Sequence, residues 1–127
     1  MTPRKVGPAA ALFLLLVGVG CDSGPSGPGA LTGRVTGQPL GAVVLEVTGV
    51  GIQGFDGRGS SQAYSAAVAG RVDTYRVVLV DAVGGDITFD IRVDDVRMEP
   101  PTVVVIAAAR PDNVSQPVAT LAVIVER

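Results

Sequence analysis

The residues best equipped for chemistry in this chain are aspartates. Asp86, Asp90 and Asp94 recur at every fourth position, with Asp95 beside the last and Asp81 shortly before the first. Hard oxygen ligands of this kind suit calcium, which takes about six to eight of them. The spacing argues against a shared ion. Two-residue steps along a strand advance about 6.6–7 Å, so Asp86 and Asp90 stand about 13 Å apart on one face. Convergence would need a strand end, either Asp81 with Asp86 across residues 82–85, or Asp94 with Asp95. These four are the weak metal candidates. The simpler reading is a solvated strand face on which Arg92 balances its acidic neighbours. Paired carboxylates also hydrolyse glycosides when about 5–9.5 Å apart. Acids on a flat strand, with few aromatics to line a sugar cleft, do not make such a site.

Other chemistries are limited by what is missing. The chain has no histidine, the commonest general base and transition-metal ligand. It has one cysteine, Cys21, so thiolate zinc sites and disulfide frameworks are ruled out. Tryptophan is absent, and beyond Phe13 the aromatics are Phe55, Tyr64, Tyr75 and Phe89, a thin supply for a carbohydrate platform. The glycine-rich stretch 49–59 lacks the Gly-Lys-Ser/Thr of a phosphate loop, and no helical pattern follows it. It reads as a bulged strand connection pinned by Phe55, with a recognition loop as the alternative. Asn113-Val114-Ser115 has the form of a glycosylation sequon and reads as a turn. No catalytic residue, cofactor or enzymatic activity is expected.

Cys21 carries the most specific signal. Arg4 and Lys5 precede an apolar run over residues 9–17, which ends in Gly18-Val19-Gly20. That order defines a secretory signal peptide, and the run is shorter than the roughly 20 residues of a membrane span. The tail Leu16-Val17-Gly18-Val19-Gly20-Cys21 resembles the lipobox of bacterial lipoproteins, with Gly18 where leucine is usual. The resemblance implies that the Cys21 thiol takes a diacylglyceryl group and that cleavage makes it the first residue. It also implies acylation of the new amino group, as with palmitate. A lone thiol in an oxidising compartment would otherwise have no partner. Two or more acyl chains make anchoring stable. The expected location is therefore a bacterial cell membrane, with the chain facing the periplasm or exterior.

The expected organisation is a signal peptide over 1–20, a lipidated Gly/Pro/Ser tether over 21–29, and one domain over 30–127. Loss of Arg4 and Lys5 with the signal leaves eight basic residues, all arginines, against twelve acids, a net charge of −4. Such a surface has no basic stripe for nucleic acid or for anionic lipid.

The domain reads as all-β. Residues 86–94 alternate strictly, with Ile87, Phe89, Ile91 and Val93 on one face and polar side chains on the other. Further strands are expected over 31–36, 42–48, 49–55, 62–68, 74–80, 102–109 and 118–125, separated by Gly- and Pro-rich turns. Ala-rich composition makes a helix the rival over 61–68. Residues 102–109 and 118–125 are apolar on both faces, which predicts central strands or cover from a neighbour. About seven or eight short strands predict an antiparallel β-sandwich, immunoglobulin-like or cohesin-like, with a small barrel as runner-up. Over residues 21–127 the pattern also resembles small bacterial lipoproteins of no known activity.

The function expected is that of a membrane-anchored, non-catalytic binding or structural sandwich at the cell envelope. The alternative is an accessory subunit of an envelope protein complex. Val78, Val80, Val104, Ile106 and Ile124 lie on second strand faces and would form its contact surface if exposed together. A small calcium- or carbohydrate-binding module ranks third.

Overall fold

The computed structural model describes residues 26–127. The signal peptide and Cys21 lie outside the described residues. Eight strands form in order: β1 (Gly29–Thr36), β2 (Ala42–Thr48), β3 (Ile52–Gly57), β4 (Ser61–Ala67), β5 (Thr74–Asp81), β6 (Ile87–Val93), β7 (Thr102–Ala109) and β8 (Ala122–Glu126). The Ala-rich segment 61–67 is a strand, not a helix. Of the expected strand over 118–125, Val118–Thr120 is instead a single 3₁₀ turn leading into β8. Gly29 opens β1 and the Gly27 N–H donates to Asp95, so the end of the expected tether belongs to the domain.

The strands divide into two four-stranded antiparallel sheets, β3-β6-β1-β8 and β4-β5-β2-β7. This is the expected sandwich. The first four strands pair with the last four in mirrored order: β1 with β8, β2 with β7, β3 with β6, β4 with β5. The chain is thus one long antiparallel hairpin rolled over on itself, in the manner of a jelly roll. An immunoglobulin domain keeps its first two strands in one sheet. Here β1 and β2 lie in opposite sheets.

Period-two alternation decides what is buried. Leu31, Val35, Ile87, Phe89, Ile91 and Val93 of the first sheet face Val43, Leu45, Val47, Val77 and Leu79 of the second, all buried. Phe89 is the largest fully buried side chain. It lies between two glycines, registered with Gly33 on β1 and Gly57 on β3. A Cβ built on Gly33 would come within 2.7 Å of Phe89 Cε1, so the ring occupies the space that glycine leaves open.

Two bulges resolve places where strict alternation fails. Ile52 and Phe55 both point inward although three residues apart, because the β3–β6 register shifts between Ile52 and Gly54. Phe55 then packs edge-on against Tyr75 with ring centroids 5.8 Å apart. On β7 the register with β2 shifts between Val44 and Leu45, which leaves Ile106 and Ala107 both exposed. An extra residue on one strand is the defining feature of a β-bulge.

β7 and β8 are edge strands, which removes the central position, one of the two readings of their doubly apolar sequences. Their inner faces are covered by the opposite sheet, but their outer faces are open: Val104 is 49% exposed, Ile106 43% and Ile124 50%. Interior position in a sheet depends on pairing between distant segments. Apolar composition alone does not set it.

Candidate functional site

The four metal candidates do different things. Asp81 is 5% exposed and accepts four hydrogen bonds: from Ser60 Oγ (2.9 Å), Ser61 Oγ (3.0 Å), Val83 N–H (2.8 Å) and Gly84 N–H (3.3 Å). Burial by itself would raise the pKa of this carboxyl. The Val83, Ser60, Ser61 and Gly84 donors outweigh burial and hold it below the ordinary aspartate range. Its partners are all donors, so it acts as a clasp between the β3–β4 turn and the β5–β6 turn. Asp95 is a second clasp. It accepts from Arg97 N–H (2.9 Å) and Gly27 N–H (3.1 Å), and the same two bonds depress its pKa. Asp86 and Asp94 are exposed. The Asp94 carboxylate lies where a side chain on Gly51 would go, with Cγ 2.9 Å from a Cβ built there, and Gly51 takes a φ of +80°. Among the described residues, no three acidic, histidine or cysteine side chains gather as a metal site.

The acidic row belongs to the outer face of the first sheet, where charges find partners on neighbouring strands. Asp56 and Asp90 stand directly opposite each other on β3 and β6. Like charges so placed repel. Arg92 Nε bonds Asp56 at 2.6 Å, and Arg58 Nε approaches Asp90 at 3.5 Å. Arg92 does balance charge across the face, but toward Asp56, a residue outside the acidic row. With Thr32, Arg34, Thr88 and Glu126, this face is polar almost throughout.

The outer face of the second sheet is different in kind. Register sets Gln62, Val80, Ala42 and Ala109 in one row across β4, β5, β2 and β7. Tyr64, Val78, Val44 and Ala107 form the next. The third row holds Ala66, Arg76, Glu46 and Val104. Tyr64 is 59% exposed and Val80 40%. The alanines of β7 and β2 leave a shallow apolar groove of about 160 Å³ along Ala42, Val44, Ala107 and Ala109. Charge enters only at the lower border, where Glu46 binds Arg71 (2.8 Å) and Arg76 (3.3 Å). The Arg71 and Arg76 contacts, Arg71 first, lower the Glu46 pKa.

Of the five residues expected to form a contact surface, Val78, Val80, Val104 and Ile106 share this face. Ile124 lies on the opposite sheet beside Arg34. Tyr64 and the alanine groove have no clear signal in the sequence. Tyr64 sits in a segment of mixed polarity, and the groove arises only where β2 and β7 pair. The glycine-rich stretch is the expected bulged connection, with Phe55 buried in the core, and Asn113 lies in a turn with a φ of +70°. Compared with known protein families, with curated proteins and with solved structures, the chain matches none.

Proposed function

We propose that this chain is a lipid-anchored, non-catalytic module of the bacterial cell envelope that works by protein association through the outer face of its second sheet. One observation carries the association reading: the two outer faces differ in kind, one laced with ion pairs and the other uncharged and, apart from Gln62 and the Tyr64 hydroxyl, apolar over its upper two rows. Four strands at about 4.8 Å spacing and two to three rows of side chains give a patch of about 300 Å² in projection. Patches of this size on single chains are often functional. The apolar rows lie toward the end where β1 passes to β2, remote from Gly29, where the tether enters. A domain held at Gly29 would thus carry its apolar rows at the far end from its anchor.

The anchor rests on Cys21, the single cysteine at the end of a lipobox-like signal. Growth with an alkyne-tagged fatty acid should label the chain, and Cys21→Ala should abolish the label. Persistence of the label in Cys21→Ala would remove the anchor from the proposal. The association surface is tested by a photoactivatable benzoyl-phenylalanine in place of Val80. On irradiation of intact cells it should yield protein adducts that the same group at exposed Asp86 does not. Absence of any Val80-specific adduct would remove the apolar face from the proposal.

A further inference from the structure

The four sheet edges of this sandwich are not equally protected. β3 is short, bulged and interrupted by Gly54, Asp56 and Gly57. β4 lies against β3 across the closed side of the sandwich, joined to it by a three-residue turn. β8 has five residues and ends in Glu126 followed by Arg127. β7 has eight residues, Thr-Val-Val-Val-Ile-Ala-Ala-Ala, with no charge, proline or glycine, and its one bulge falls at Ile106, so Thr102–Val105 is a regular edge. Natural edges are blunted by lysine, proline, brevity or bulges. Within the described residues the far end of β7 is covered: Gln116 N–H donates to the Ala108 carbonyl (2.9 Å), and Ser115 bridges Ala109. Among the described residues, no further strand pairs with the open edge from Thr102 to Ile106.

We infer that this open edge pairs with β7 of a second copy of the chain, antiparallel about a two-fold axis near Val104, joining two four-stranded sheets into one of eight. The inference deepens the association reading above and rests on it. Unpaired backbone N–H and C=O groups beside exposed Val104 and Ile106 are a template for another strand, which would pair those groups and cover the two side chains together. The added strand must carry no charge, offer its own free edge and present apolar side chains next to Val103, Val104 and Val105. β7 meets all three requirements, and two identical uncharged strands meet without like-charge repulsion. Residues 22–28, with a charge at Asp22, two prolines and no apolar side chain longer than proline, lack the uncharged, apolar character that such a strand needs. About five residues at roughly 3.4 Å each give an edge of only about 17 Å. That contact is well short of the roughly 800 Å² per partner of a standing interface, so the pair forms and separates with concentration.

The test uses the full chain in living cells, with benzoyl-phenylalanine replacing Val104 and, as a control of equal exposure on the other face, Ile124. Irradiation should give an adduct of twice the chain mass from position 104 and not from position 124. Its yield should rise with expression level. Adding Ile106→Lys, an exposed site where a charged side chain guards the edge without touching the core, should cut the adduct at least tenfold. An adduct of another mass from position 104 would overturn self-pairing while leaving the association reading intact. No adduct from either 104 or 80 would overturn both. Equal dimer yield from 104 and 124 would mean random collision and would overturn the inference.

Discussion

Phe89→Ala should destabilise the sandwich by about 3–5 kcal/mol, the range for removing a buried phenylalanine. Unfolding free energies of single domains are about 5–15 kcal/mol, so this one change would remove a large share of the total. At about 4–8 °C per kcal/mol for a domain of this size, the melting temperature should fall by tens of degrees. The reason is local. The ring is fully buried, packed over Gly33 and registered with Gly57 on β3, and neither glycine supplies a side chain of its own. Neither glycine has a side chain that could collapse into the space. Gly33→Ala should also destabilise, by about 1–3 kcal/mol, because its methyl group would strike the ring. The two changes together should cost less than their sum, since the methyl group added at position 33 fills part of the cavity that loss of the ring leaves. Thermal and urea unfolding followed by far-ultraviolet circular dichroism would measure all three variants. A loss below about 1 kcal/mol for Phe89→Ala would contradict this account of the core.

Asp81→Ala should cost about 3 kcal/mol, because it strands two hydroxyls and two backbone N–H groups that converge on one buried carboxylate. The effect should depend on pH. A carboxyl whose folded pKa lies below its unfolded value, near 3.9, stabilises the fold fully above that value. The contribution is lost as pH falls through the folded pKa. Asp81 belongs to this class. Wild-type stability should therefore decline below about pH 4, and the Asp81→Ala curve should be flatter there. It should not be level, because Glu46 and Asp95 are depressed in the same direction and remain in the variant. Denaturant titrations at pH 7, 4 and 3 would decide. Parallel wild-type and variant curves would show that the carboxylate is not the clasp described above.

Sequence and structure contribute differently to these two residues. Phe89 is legible as an inward residue, because Ile87, Phe89, Ile91 and Val93 alternate with polar neighbours along one strand. Its two glycine neighbours are not, since Gly33 and Gly57 reach it only through pairing across 56 and 32 positions of chain. Asp81 stands out in the sequence as an acid near a turn, where a metal ligand is one reading. Only the approach of Ser60 and Ser61 from a different turn shows it to be a hydrogen-bond clasp. The acidic row lies on a solvated face, as its spacing implies, but the partner of Arg92 lies on another strand.

The sequence by itself determined the all-β class, nearly every strand, and the apolar side of β6, the strand that alternates strictly. All of these follow from a period of two residues, a property of the extended backbone that needs no neighbour. Tertiary structure alone decided the rolled pairing, the edge positions of β7 and β8, and the gathering of Val78, Val80, Val104 and Ile106 onto one face with Tyr64. Those depend on which distant strand completes each hydrogen-bond ladder, and two doubly apolar strands carry no local mark of having only one neighbour.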